Sequence, residues 1–119
     1  TLLLHEYAHA YQLGMAESNA SRAVEAAYAN FHANLYPALS RASAAPNAGH
    51  WWYSNDNAKE YFAVTTEAMG NPGSDSIGKW PETRAGFKAD DPTGYAAVEA
   101  MWKQTSAEVA AGGAGGAGG

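Results

Sequence analysis

Residues 2–13 read LLLHEYAHAYQL and combine an apolar helical pattern with the spacing His-Glu-x-x-His. The apolar residues recur on more than one side, which predicts a helix that is buried nearly all round and stops at Gly14. His5 and His9 are four residues apart, so on a helix their side chains lie about one turn, roughly 6 Å, above each other. Two imidazoles in this arrangement can both bind one tetrahedral zinc ion.

Glu6 directly follows the first histidine and would lie beside the open coordination position of such an ion. There its carboxylate can take a proton from a water molecule that the zinc activates. Burying two histidines and a glutamate in an apolar helix is costly unless these side chains have partners. The segment therefore predicts a metal site with His5 and His9 as ligands and Glu6 as general base. The alternative is a histidine pair in the core that binds no metal.

A catalytic zinc needs a third protein ligand if one position is to stay open for water. One peptidase class places glycine and histidine three and six residues beyond the second histidine. It is excluded because these positions hold Gln12 and Met15. Glu60 is favoured because it lies in the first turn of a predicted helix, where its side chain can be aimed, although it could instead serve as a capping residue. The other candidates are Glu67, His32, His50, Asp56 and Asp75.

Helical spacing predicts three further helices, at residues 20–35, at residues 58–69 and from Pro92 onward. No strand pattern is present, so the prediction is a mainly α fold of about four helices joined by long loops. A turn is expected at residues 81–87. The expected caps and stops are Asn19 and Pro37 for the second helix, Asn57 with Glu60 for the third, and Asp91 for the last.

The composition excludes several classes of protein. The chain has 119 residues with 7 basic and 12 acidic side chains, and this acidic balance argues against nucleic acid as a partner. The absence of cysteine excludes a disulfide scaffold, a zinc–thiolate site and a thiol nucleophile. No apolar run is long enough to span a membrane. Because the last ten residues are only Gly and Ala, we expect a catalytic domain at residues 1–105 and a flexible tail at residues 106–119.

Two motifs resemble those of a known family of zinc peptidases. They are His5-Glu6-Tyr7-Ala8-His9-Ala10 and Asn57-Ala58-Lys59-Glu60-Tyr61-Phe62-Ala63. Together they are similar to the catalytic domain of anthrax lethal factor and its bacterial and fungal relatives. The resemblance covers residues 1–102 and is most specific at the two motifs. It implies a zincin-like peptidase domain of the gluzincin type, one Zn²⁺ per chain, Glu60 as the third ligand and a peptide or protein as substrate.

The resemblance also implies a role for Tyr53, which lies seven residues before Glu60. In the family, a tyrosine at this spacing stabilises the oxyanion of the tetrahedral intermediate. Without the resemblance, Tyr53 is a residue that anchors its loop beside Trp51 and Trp52. The two tryptophans either line a substrate groove or pack the loop.

One position departs from the family pattern. The family has a glutamate four residues after the third ligand, where it lies behind the zinc and binds a ligand histidine, and this chain has Val64 there. Such partners are worth about 10–100-fold in metal affinity or activity. Thr65, Thr66 and Glu67 are candidates to replace it. With Val64, one imidazole N–H is expected to lack its carboxylate partner, so restoring the acid with Val64→Glu should strengthen zinc binding.

The sequence therefore predicts a zinc-dependent metalloendopeptidase, with Glu6 as general base and Tyr53 as oxyanion donor. Peptidases of this kind hold the substrate along a sheet that precedes the first histidine, so the chain could be inactive alone. One alternative is a zinc-binding domain without catalysis, which Val64 and the missing sheet favour. Another is a helical interaction module that binds no metal. An extracellular location is suggested by the resemblance alone.

Overall fold

The computed structural model describes residues 2–14, 18–42, 51–73 and 78–103. These residues are mainly helical and contain no strand, which confirms the predicted fold class. The first half contains α1 (Leu2–Gly14), α2 (Asn19–Asn30), a π-helical segment (Phe31–Leu35) and α3 (Tyr36–Ala42). The second half contains a 3₁₀ turn (Tyr53–Asn55), α4 (Ala58–Met69), α5 (Arg84–Asp90) and α6 (Pro92–Trp102).

Helix α4 lies at the centre of the fold. Its residues from Tyr61 to Ala68 are all buried, and the helix packs against α1, α2, α5, α6 and the 3₁₀ turn. The side-chain oxygen of Asn57 accepts a hydrogen bond from the Glu60 N–H at 2.9 Å, so the predicted N-cap is confirmed. This cap fixes where α4 begins and therefore where Glu60 lies along α1.

Aromatic rings fill the space between α2, α4 and the segment before α5. Phe31 stacks on Trp80 with 4.7 Å between ring centroids, and Trp52 packs against Trp80 at 5.7 Å. Trp52 is buried, and the Trp51 carbonyl accepts a hydrogen bond from the Trp80 N–H at 2.7 Å. These contacts favour loop packing over a groove wall for the two tryptophans.

The prediction that Pro37 ends the second helix is wrong. The backbone stays right-handed helical through Asn30, Phe31 and Tyr36. At this point the Tyr36 N–H bonds to the Phe31 carbonyl, five residues back. Such a π-helical turn is wider than an α-turn and gives the proline ring room against the preceding carbonyls. The helix therefore continues as α3. Its start is also corrected, because the Ser18 hydroxyl, and not Asn19, accepts the capping hydrogen bond from the Ser21 N–H at 3.0 Å.

Helix α1 is not buried nearly all round as expected. His5, Ala8 and Gln12 face inward, but Tyr7 is 61% and Leu13 75% exposed. The apolar pattern covers two sides of α1, whereas α4 covers one, so the other side faces solvent in the described part of the chain. The sequence pattern shows which side chains are apolar, but it does not show which of them pack against another helix.

The predicted turn at residues 81–87 is also wrong, because α5 occupies much of this segment. Its N-cap is Thr83, whose hydroxyl accepts a hydrogen bond from the Gly86 N–H at 3.0 Å. The expected tail at residues 106–119 lies outside the described residues. Within the described residues, no helix is both long and apolar enough to cross a membrane.

Asp91 joins α6 to α4. Its side chain is fully buried and caps α6 by accepting a hydrogen bond from the Gly94 N–H at 2.9 Å, which confirms the predicted cap. The Tyr61 hydroxyl donates a hydrogen bond to the other carboxylate oxygen. Gly94 closes this contact, because a Cβ there would overlap both the Tyr61 hydroxyl and the Asp91 carboxylate.

We expect Gly94→Ala to lower the free energy of unfolding by about 1–3 kcal/mol, the usual cost of overpacking a closed site. At an open helical position the same change stabilises by up to about 1 kcal/mol. Gly14→Ala is the matched control, since a Cβ there meets nothing within 4 Å. Urea denaturation of both variants measures the difference, and equal effects would contradict the expected clash at Gly94.

Candidate metal centre

Three side-chain atoms from α1 and α4 converge at one point. The Nε2 atoms of His5 and His9 are 3.2 Å apart. They lie 2.9 Å and 3.0 Å from Glu60 Oε1. The two histidines are one helical turn apart on α1, and Glu60 faces them from the first turn of α4. The structure thus brings together the three residues that the sequence predicts as metal ligands.

These separations suit a tetrahedral zinc site. With metal–ligand bonds of about 2.0–2.1 Å, adjacent ligand atoms of a tetrahedron lie about 3.3–3.4 Å apart. The observed separations of 2.9–3.2 Å need only a few tenths of an ångström of expansion. Two imidazole nitrogens and one carboxylate oxygen form a donor set that zinc accepts in catalytic sites. His9 is 28% and Glu60 17% exposed, so the centre is accessible from solvent.

Glu67 lies behind His5, on the side opposite Glu60. Its Oε1 is 2.6 Å from His5 Nδ1, and the Glu67 side chain is 3% exposed. A carboxylate of this kind orients a ligand imidazole and raises its basicity. Glu67, one turn further along α4 than Val64, is therefore the candidate that supplies a carboxylate to His5.

The neighbours of Glu67 explain why it, and not a threonine, contacts His5. The Thr65 hydroxyl donates to the Tyr61 carbonyl at 2.7 Å. The Thr66 hydroxyl accepts a hydrogen bond from the Trp102 indole N–H at 2.9 Å. Both threonines are thus engaged elsewhere. Val64 is fully buried and offers no polar atom.

The protonation of His5 makes the convergence informative. A carboxylate only accepts hydrogen bonds, and a neutral imidazole has one N–H, so neutral His5 can donate either to Glu67 from Nδ1 or to Glu60 from Nε2. Metal binding through Nε2 requires the tautomer with the proton on Nδ1, facing Glu67. The lone pair of Nε2 then faces Glu60 Oε1 at 2.9 Å. Two acceptor atoms at this distance repel each other unless a cation or a proton lies between them. This tautomer therefore calls for positive charge at the point where the three atoms meet.

Tyr53 is also part of the centre. Its hydroxyl donates to Glu60 Oε2 at 2.8 Å, and its ring stacks on the His5 ring with 6.0 Å between centroids. The hydrogen bond to Glu60, burial and the nearby negative charges of Glu60, Asp56 and Glu6 raise the pKa of Tyr53. Tyr53 thus leaves only Oε1 of Glu60 to face the histidines.

Glu60 carries a negative charge at neutral pH in this environment. Burial acts to raise its pKa, but the hydrogen bonds with Tyr53 and His5 and the positive charge that both histidines carry when protonated outweigh burial, so the pKa of Glu60 is lowered. An ionised carboxylate is the form that binds a metal ion.

Glu6 lies on the exposed side of α1. Its charge is among those that raise the pKa of Tyr53, the residue that donates a hydrogen bond to Glu60. No hydrogen bond or ion pair joins Glu6 to another residue of the described segments, so its carboxylate can accept a proton.

The remaining candidate ligands do not reach the centre or lie outside the described residues. His32 is exposed, and its Nδ1 lies 2.7 Å from Asn55 Oδ1. Asp56 is exposed at the end of the 3₁₀ turn. His50 and Asp75 lie outside the described residues.

A cleft of about 720 Å³ adjoins His9. It lies between the second half of α1, the first half of α2 and the start of α4. This places open space beside the most exposed of the three converging residues. The cleft is lined by His9, Gln12, Leu13, Ser21, Glu25, Asn57, Ala58 and Lys59.

Comparison with models of protein families found no match to this chain, and searches of curated proteins and of solved structures found none either. The function must therefore be inferred from the geometry of the centre and from the two sequence motifs.

We expect Glu67→Gln to weaken zinc binding by at least about tenfold, within the 10–100-fold range of groups that support a ligand histidine. The amide can still accept the His5 proton, but it lacks the charge that raises the basicity of the imidazole. Zinc competition against a chelator measures the change. Glu99→Gln is the matched control, because Glu99 pairs with Lys103 at 3.6 Å on the surface of α6. Unchanged binding in Glu67→Gln would remove Glu67 from the centre.

The structure also overturns the expectation that Val64→Glu strengthens zinc binding. Glu67 already holds His5, and Val64 is fully buried. In the same assay, Val64→Glu should bring no gain in affinity, and its melting temperature should fall because a carboxylate is forced into a closed space.

Proposed function

We propose that this chain forms the zinc centre of a metallopeptidase, a hydrolase that cleaves peptide bonds, with one Zn²⁺ per chain. One observation carries this proposal. Three atoms that can each bind a metal ion, His5 Nε2, His9 Nε2 and Glu60 Oε1, converge within 2.9–3.2 Å of one another, while Glu67 Oε1 lies 2.6 Å from Nδ1 on the far side of the His5 ring, where it can accept the proton of His5.

His5, His9 and Glu60 would hold the ion. When bound, zinc polarises a carbonyl oxygen and lowers the pKa of water, which is the chemistry that peptide hydrolysis requires. Glu6 would accept the proton of the attacking water at its carboxylate and pass it to the nitrogen of the leaving amine. The Tyr53 hydroxyl would donate a hydrogen bond to the carbonyl oxygen as negative charge develops there. A peptide or protein substrate would approach from the solvent side of His9, where the cleft provides space.

Both alternatives have less support in this geometry. Val64 and the missing sheet favour a domain without catalysis; the first of these supports is removed, because Glu67 supplies a carboxylate to His5 at 2.6 Å. A helical module without metal explains the convergence only if His5 or His9 donates a hydrogen bond to Glu60. A protonated His5 between Glu60 and Glu67 is one explanation of that kind, and a metal assay distinguishes it.

We expect the purified chain to bind one Zn²⁺. His5→Ala, His9→Ala and Glu60→Ala should each lose it, because each removes one of three protein ligands. Metal analysis after dialysis and competition against a chelator measure stoichiometry and affinity. His32→Ala is the control and should retain zinc, because His32 is exposed and bonds to Asn55. Zinc retained by the Glu60→Ala variant would exclude Glu60 as third ligand, and a wild-type chain without zinc would exclude the metal centre.

We expect Glu6→Gln to keep zinc and fold but to abolish hydrolysis of a mixed-sequence fluorogenic peptide library. The amide fills the same volume as the carboxylate but cannot accept the proton of water. Glu99→Gln, remote from the centre, serves as the control for loss of a surface charge. Substantial turnover by Glu6→Gln would contradict the general-base role. A wild type that binds zinc but cleaves no peptide would fit both the domain without catalysis and a peptidase chain that is inactive alone.

A further inference from the structure

Lys79 contacts two residues that support the candidate metal ligands. Its Nζ lies 3.4 Å from Glu67 Oε1 and 5.8 Å from the centroid of the Tyr53 ring. The Lys79 side chain is 15% exposed, so the ammonium lies largely under the surface. Neither sequence motif includes this residue.

The two contacts of Lys79 lead to different ligands. Glu67 binds His5 at Nδ1, 2.6 Å away. Tyr53 donates to Glu60 Oε2, 2.8 Å away. One ammonium group thus contacts both Glu67, which binds His5, and Tyr53, which binds Glu60.

We propose that Lys79 is a positioning residue of the metal centre, which holds Glu67 against His5. This inference rests on the proposed zinc centre. It goes beyond the two motifs because it assigns a role to a residue from the segment that precedes α5.

The charge distribution gives a physical reason for this role. Glu60 and Glu67 place two carboxylates on either side of one imidazole, and a buried carboxylate is unfavourable without a compensating charge. The Lys79 ammonium supplies that charge to Glu67, at 3.4 Å from its Oε1. An ammonium is a compact point charge, so it can serve a carboxylate and a ring face at once.

An opposing effect determines how the test must be designed. The positive charge of Lys79 also repels a metal cation, so removing it could strengthen metal binding. Only an effect that passes through Glu67 supports positioning. A double-mutant cycle with Glu67→Gln separates the two effects.

The experiment measures zinc affinity by chelator competition in the wild type, Lys79→Met, Lys79→Arg, Glu67→Gln and the double variant Lys79→Met/Glu67→Gln. We expect Lys79→Met to weaken zinc binding by about tenfold, in the range of groups that support a ligand, and Lys79→Arg to restore most of it. In a protein that already carries Glu67→Gln, Lys79→Met should change zinc affinity by less than about twofold, which is about the deviation seen when mutational effects are additive. Lys88→Met is the matched control, because Lys88 lies over the Tyr95 ring at 5.5 Å, away from the centre.

A second readout uses the metal-free protein. The proton on His5 Nδ1, held by Glu67, should give a low-field NMR signal that Lys79→Met broadens or shifts and Lys88→Met leaves in place. Circular dichroism verifies that each variant is folded.

The outcomes distinguish this inference from the proposed function. Tighter zinc binding by Lys79→Met, or an equal loss with and without Glu67, would overturn positioning by Lys79 while leaving the zinc centre intact. A wild type that binds no zinc would overturn the proposed function. In that case the NMR signal still decides whether Lys79 holds Glu67 against His5, and an unchanged signal would reject it.

Discussion

The imidazole of His5 lies between two carboxylates of the same helix. Glu60 Oε1 is 2.9 Å from Nε2, and Glu67 Oε1 is 2.6 Å from Nδ1. The two glutamates are seven residues apart, so their backbones differ by about two turns, or roughly 10 Å, along α4. Both side chains can reach one ring only if α1 packs along α4 with His5 between them. The position of every other group at the centre follows from this packing.

The burial of α4 stabilises this arrangement, because each buried polar side chain of the helix needs a particular partner. Residues from Tyr61 to Ala68 are buried, so each polar side chain among them needs a partner. Thr65 bonds to the backbone of its own helix, Thr66 to an indole of α6, and Glu67 to His5. An acid in this run without a partner would destabilise the core by several kcal/mol. His5 is therefore needed by the fold as well as by the centre.

The parts of the centre that the sequence predicts are those set by local geometry. His5 and His9 follow from helical spacing alone, and the Asn57 cap fixes Glu60 in the first turn of α4. The role of Glu67 could be predicted only as one of several choices, because the packing angle between α1 and α4 decides which residue meets His5. The spacing of Glu60 and Glu67 nevertheless indicates a shared role, since residues seven apart on a helix lie on the same face. Lys79 carries no such signal, because its position depends on how the segment before α5 folds back on α4.

The same distinction applies to the fold. Caps at Asn57 and Asp91 involve residues within three positions of each other and were predicted correctly. The continuation past Pro37 was missed because a π-helical turn relieves the clash that a proline causes in a regular helix. The exposed side of α1 was missed because the pattern of apolar residues does not reveal how many neighbours a helix has. The sequence predicts a turn in place of helix α5, because this helix is short and has Phe87 as its single buried residue.

Tyr53 has one hydroxyl proton and, in the proposed mechanism, two acceptors that need it. Without substrate this proton is donated to Glu60 Oε2 at 2.8 Å, where it limits Glu60 to a single oxygen at the centre. To stabilise a developing oxyanion, the hydroxyl must leave Glu60 and turn toward the carbonyl of the substrate. Both roles require a protonated tyrosine, and the hydrogen bond to Glu60, burial and the surrounding carboxylates raise its pKa. The acidic surroundings that support metal binding therefore also keep Tyr53 a hydrogen-bond donor. Bonding to Glu60 and stabilising the oxyanion depend on the same charges, and Tyr53 would perform them one after the other.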